Sequence, residues 1–93
     1  MPKYRVLIHR RVHKFLIELK NEKVKNQIRG GITKLEDYPF SLRKLDVEKV
    51  KGLENTFRIR VGIYRIVFHV DKTERTIYVT RAGIRKSVYK KLH

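Results

Sequence analysis

The chain of 93 residues contains no cysteine, which removes disulfides, zinc–cysteine sites and thiol nucleophiles from the chemistry open to it. No apolar run approaches the roughly 18 residues needed to span a bilayer. After Met1-Pro2 the sequence passes straight into Lys3-Tyr4-Arg5-Val6, without the apolar stretch of a secretory signal. A cytoplasmic protein is the expectation. Acidic residues are scarce: 9 Asp and Glu stand against 24 Lys and Arg, a formal net charge of +15. Such an excess repels its own copies and draws polyanions from a distance, so nucleic acid is the leading class of partner. No segment sets a long apolar face against a basic one, which argues against a membrane surface. Internal repeats and low-complexity linkers are absent too. A chain of this length can bury one compact core but not two, so a single domain over residues 1–93 is expected.

What is present reads as alternating and helical apolar patterns. Tyr4, Val6 and Ile8 fall on one side of a short segment and Arg5 on the other, the period of a half-buried strand. Val12, Phe15, Leu16 and Leu19 then recur at helical spacing. After the polar break Asn21-Glu22-Lys23 the stripe resumes at Val24, Ile28, Ile32 and Leu35. Two helices packed as a hairpin follow, with Gly30-Gly31 marking either a close approach to a neighbour or a kink. Asp37-Tyr38-Pro39 ends the helical pattern, because the residue before a proline is pushed out of the α region. A short strand is expected around Leu45 to Val50 and a turn at Gly52. Phe57–Val61, Ile63–Val70 and Thr76–Ala82 are rich in β-branched and aromatic residues, as strands are. Ile84 to Leu92 is expected to close the chain as a short helix. The fold class is therefore α+β: an N-terminal strand, a helical hairpin, a largely antiparallel three- to four-stranded sheet and a short C-terminal helix, with the helices on one sheet face.

The segment Phe57-Arg58-Ile59-Arg60-Val61 separates by parity, with Arg58 and Arg60 on one face and the apolar residues on the other. If Gly62-Ile63 forms a two-residue type II′ turn, Val61 faces Tyr64, Arg60 faces Arg65, Ile59 faces Ile66 and Phe57 faces Phe68. A slip of one residue would bury arginines, so the pattern selects this register. Arg60 and Arg65 then stand side by side with Arg58 along the same face. Like charges opposed across a strand pair are destabilising and invite an anion between them. Phosphate fits, because the planar fork of arginine matches phosphate oxygens in a way that lysine does not. Acidic groups of another protein fit the same face.

The hairpin Phe57-Arg58-Ile59-Arg60-Val61-Gly62-Ile63-Tyr64-Arg65-Ile66-Val67-Phe68 resembles the signature of the RelE/ParE toxin superfamily. The tail Gly83-Ile84-Arg85-Lys86-Ser87-Val88-Tyr89 is similar to the ending of RelE-type toxins, in which an arginine precedes a tyrosine by about one helical turn. The resemblance implies an mRNA interferase of a toxin-antitoxin pair that cuts messenger RNA in the ribosomal A site and thereby inhibits translation. It implies as partners the ribosome, mRNA and an acidic RelB-like antitoxin, with operator DNA reached only through the antitoxin complex. By this likeness Arg58 and Arg60 hold the RNA backbone, Arg65 and Arg85 complete a phosphate clamp, and Tyr89 stacks on or orients the reacting nucleotide and takes part in proton transfer.

Such cleavage needs no metal or cofactor, since the 2′-hydroxyl of RNA is the nucleophile and fixed guanidinium groups can meet the charge that develops on phosphorus. Arginine itself is a poor base, so the proton must go elsewhere. Tyr89 is the first candidate; His69, which shares the parity of Arg65, is the second. Of the other histidines, His9, His13 and His93 are assigned surface roles. Lys44, Lys49 and Lys51 precede the signature and are expected to add phosphate contacts. Two positions depart from the pattern: Ile84 stands where many relatives carry a histidine, and Ile63 puts an apolar residue at the hairpin tip. Two other functions share these features. One is a ParE-like inhibitor of DNA gyrase; the other is a non-catalytic RNA-binding module, in which Arg65→Ala would weaken affinity with no cleavage to lose.

Overall fold

The computed structural model describes residues 3–84. In chain order it places β1 (Arg5–Ile8), α1 (Arg10–Glu18), α2 (Glu22–Lys34), two 3₁₀ turns (Leu35–Asp37 and Phe40–Lys44), β2 (Val47–Lys49), β3 (Thr56–Val61), β4 (Tyr64–Asp71) and β5 (Thr76–Ile84). The strands form a five-stranded sheet in the order β1-β5-β4-β3-β2. β2 to β5 run as an antiparallel meander, while β1 lies parallel to β5 with Arg5 beside Thr76 and Ile8 beside Val79. The N-terminal strand thus enlarges the expected three- to four-stranded sheet to five. A strand edge carries unpaired backbone donors and acceptors, and β1 covers the edge of β5 while turning Val6 and Ile8 toward the core.

The helices arise where the sequence supplies both a stripe and a cap. His9 accepts the Arg11 amide through Nδ1 to start α1, so this histidine has a structural task. Asn21 does the same for α2 through the Val24 amide. α2 runs unbroken through Gly30 and Gly31. A β-carbon on Gly31 would lie 3.6 Å from Leu45 Cδ2, an ordinary contact, and one on Gly30 would meet nothing within 4 Å. Neither glycine is therefore demanded by a close approach or a kink. Tyr38, ahead of Pro39, is extended at φ −54° and ψ 138° and ends the helical run as expected.

Both helices lie against one face of the sheet. Val12, Leu16, Ile28, Ile32 and Leu35 pack with Ile59, Ile66, Phe68, Val70, Ile77 and Val79 in one buried cluster. Phe68 is stacked on Phe57 at a centroid distance of 5.4 Å, as their register positions require. Ile84 ends β5 rather than opening a helix, and the remainder of the expected C-terminal helix lies outside the described residues. Among the described residues no helix is long and apolar enough to cross a membrane. The helix-covered face holds the core and leaves the other face to the arginines.

Candidate nucleic-acid interface

The β3–β4 hairpin has the register its side-chain parity demands: Val61 faces Tyr64, Arg60 faces Arg65, Ile59 faces Ile66 and Phe57 faces Phe68. Gly62 takes φ 59°, and among the described residues the non-glycine ones with positive φ are Asn55 and Arg75, so Ile63 keeps a negative φ. A positive first and a negative second turn residue is the type II′ pattern. Ile63 projects at the tip, 65% exposed.

On the open face the chain supplies anions of its own. Glu48 on β2 lies opposite Arg58 in register. Its Oε2 accepts from Arg58 Nε at 2.7 Å, and its Oε1 lies 2.9 Å from Arg60 Nη1. Asp46 Oδ1 accepts from Arg60 Nε and Nη2 at 3.0 and 2.8 Å. These are among the contacts of Arg58 and Arg60, not the whole of them. The hydrogen bond from Arg58 holds the Glu48 carboxyl below the ordinary carboxylate value, helped by the charges of Arg58, Arg60 and Arg65 and opposed by partial burial. The expected anion between the arginines is in part intramolecular. The signal was present in Asp46-Val47-Glu48, where two acids flank one apolar residue with strand parity and so share the face opposite Val47.

Arg65 is the least accessible of the group, at 9% exposure. Its Nη1 donates to the carbonyls of Gly62 and Tyr64, both at 2.8 Å, while Nε has no partner. The side chain is folded back on the turn, where two carbonyl dipoles support the guanidinium. It stands opposite Arg60 in register as expected, but its guanidinium is turned toward the hairpin carbonyls.

One further arginine joins the face through an irregularity. The register between β4 and β5 shifts at Val67/Phe68: Phe68 pairs with Val79, but Val67 pairs with Arg81, leaving Thr80 as an extra residue. Ile77 and Val79 point into the core. Without the bulge, Arg81 would follow them there by parity. With it, Ala82 turns to the core and Arg81 to the open face. Arg81 therefore flanks Val67 on one side as Arg58 does on the other. Val67, at 1% exposure, is outside the helix-side core cluster and forms an apolar floor between two cations. No sequence periodicity marks Thr80 as the bulge, so Arg81 was not legible beforehand.

The next row of the same face holds Thr56, His69 and Tyr78 in register. Along β4 the rows run from Arg60–Arg65 at the hairpin tip, through Arg58–Val67–Arg81, to Thr56–His69–Tyr78. Arg85 and Tyr89 lie outside the described residues. The lysines are not gathered with the arginines. Lys49 pairs with Phe57 and so has the parity of the helix-covered face. Lys44 lines a cavity of roughly 560 Å³ with Tyr4, Tyr38 and Arg75 on that side. Lys51 sits in the exposed turn after β2. The expected phosphate contacts of Lys44 and Lys49 would thus belong to a different surface from that of the arginines. Among the described residues, no three His, Cys, Asp or Glu side chains are placed to hold a metal ion.

The fold is that of a known class of toxins. The family model of the ParE toxin of type II toxin-antitoxin systems, parDE, matches residues 6–89, and the chain belongs to the RelE/ParE toxin superfamily. RelE1 of Methanocaldococcus jannaschii is 31% identical over 88 residues, spanning 95% of this chain and 97% of that one. Toxin RelE3 of the same organism is 50% identical over 46 residues, 50% of each chain. Among solved structures, the RelE–RelB complex of Pyrococcus horikoshii OT3 superimposes with a TM-score of 0.75 at 29% identity, covering 89% of this chain and 96% of that one. The RelB–RelE antitoxin–toxin complex of Methanococcus jannaschii gives 0.75 at 31% identity, covering 94% and 99%.

Proposed function

We propose that this toxin is an endoribonuclease of the RelE type, which cleaves mRNA in the ribosomal A site and is held inactive by an acidic antitoxin. The observation that carries this reading is the row Arg58–Val67–Arg81 with Arg60 beside it, a strip of guanidinium groups backed by a rigid sheet and closed at the hairpin tip by the folded-back Arg65. A phosphate seated over Val67 would meet forks from both sides, and donors already in place cost no reorganisation as charge develops on phosphorus. Asp46 and Glu48 orient two of the forks. A carboxylate held in its ionised form is a weak base, so Glu48 acts in this reading by positioning arginines. Arg85 and Tyr89 enter through the likeness to RelE-type tails, as the last members of the clamp and the nucleotide-orienting ring. Lys44, Lys49 and Lys51 serve as secondary ribosome or RNA contacts. The reaction needs no cofactor, since its nucleophile is the 2′-hydroxyl of the substrate.

The solved relatives are captured with RelB antitoxins, and a surface of +15 formal charge calls for an acidic counterpart here too. The test is to add the purified protein to ribosomes translating a defined message and to map the 5′ ends produced. Cuts within the A-site codon are expected, with Arg58→Ala slowing single-turnover cleavage by about 10²–10³-fold, the usual cost of one charge-stabilising donor. The match to the ParE family model favours a second reading, inhibition of DNA gyrase. Intact mRNA together with blocked gyrase supercoiling would establish that reading instead.

A further inference from the structure

We propose that His69 is the general base of the cleavage, an inference that rests on the endoribonuclease reading above. The Thr56 hydroxyl has two neighbours. It lies 3.0 Å from the Glu54 carbonyl oxygen and 3.1 Å from His69 Nδ1. A carbonyl can only accept, so the single hydroxyl proton of Thr56 goes to Glu54, and Thr56 Oγ1 must accept from His69. That assigns the proton of the neutral imidazole to Nδ1 and leaves Nε2 with its lone pair unused. The ring is anchored through one nitrogen while its side chain remains exposed on the arginine face. An oriented imidazole with a free Nε2 is what proton abstraction at neutral pH requires.

Its place in the face suits the task. His69 follows Val67 by two residues on β4, a rise of about 6.8 Å at the usual strand pitch. A phosphate over Val67, between Arg58 and Arg81, therefore leaves room for one ribose hydroxyl between itself and Nε2. In the step, Nε2 takes the proton of the 2′-hydroxyl and the 2′-oxygen forms a bond to phosphorus. The bond from phosphorus to the 5′-oxygen breaks, and the departing oxygen takes a proton from solvent. The products are a 2′,3′-cyclic phosphate and a 5′-hydroxyl end, with the electron pairs balanced and no other reactant consumed. Among the described residues, the charged and titratable groups around the imidazole are Arg58 from β3, Asp71 from its own strand, Tyr78 and Arg81 from β5, and Glu54 in the turn before β3.

The experiment measures single-turnover cleavage of mRNA on programmed ribosomes between about pH 5 and pH 8, with the full-length wild type and His69→Gln. The substitution is at an exposed position, and a thermal melt checks that both proteins are folded. The expected result is a loss of about 10²–10⁴-fold in rate, unchanged ribosome affinity, and disappearance of the fall in rate that the wild type shows toward acid pH as its base protonates. Thr56→Val, which removes the anchor but keeps the imidazole, should slow cleavage less and retain that acid limb. Wild-type rate and an unaltered acid limb in His69→Gln would overturn the role of His69 while leaving the nuclease reading intact. A folded wild type that never cuts would overturn both.

Discussion

Glu48 is the residue on which the open face turns, because its carboxylate contacts both Arg58 and Arg60. Its folded carboxyl lies below the ordinary value of 4.5. The stabilisation it contributes is therefore fully present above that value and is lost as pH falls through the lower, folded one. Glu48→Gln should lower the melting temperature near neutral pH and flatten the decline of stability on the acid side. Melts recorded against pH test this, and parallel curves for the two proteins would contradict it. The arginines were legible in the sequence because strand parity sorts them from Phe57, Ile59 and Val61. Asp46 and Glu48 carry a parity signal of their own, but not one that pairs them with Arg58 and Arg60, since they sit ten or more positions away and meet those arginines only once β2 adds to β3. Arg65 shows the other limit. Parity gave its face, but not that its long side chain folds back onto the turn carbonyls.

The elements differ in how strongly local chemistry specifies them. The β3–β4 hairpin is over-determined, with a glycine at the position needing φ 59° and an apolar set that only one register buries. α2 is less well made for its state. Gly30 sits inside Glu22–Lys34 with no neighbour to exclude a methyl group. Gly30→Ala should therefore stabilise the fold by about 0.5–1 kcal/mol through helix propensity and lost unfolded-state freedom. For a domain of this size that is a rise of roughly 2–8 °C in Tm. A calorimetric scan checks it, and a lower Tm would contradict it. β5 carries the decision that local pattern misses. Its bulge at Thr80 exchanges the facing of everything after Val79, and so turns Arg81 onto the face that carries Arg58 and Arg60.

At the scale of the whole molecule, the formal charge of +15 supplies long-range attraction, while the open sheet face gives it a direction. Each arginine that neutralises a phosphate of single-stranded RNA adds about 0.7 to the slope of log affinity against log salt. Arg81→Ala should accordingly weaken binding and reduce that slope by about 0.7, whereas loss of a cation outside the interface would leave the slope unchanged; titrations at several salt concentrations separate the two. What the sequence by itself determined are the features that depend on neighbours a few residues apart: the two helical stripes, the hairpin register and the arginine parity. Their cause is backbone periodicity, which needs no distant partner. Only the tertiary structure decided that β1 joins β5 in parallel, that β2 brings two carboxylates to Arg58 and Arg60, and that a bulge turns Arg81 outward. Those features depend on which strand edges meet and where one residue is left unpaired, and that is settled by burying the shared core rather than by any local run of residues.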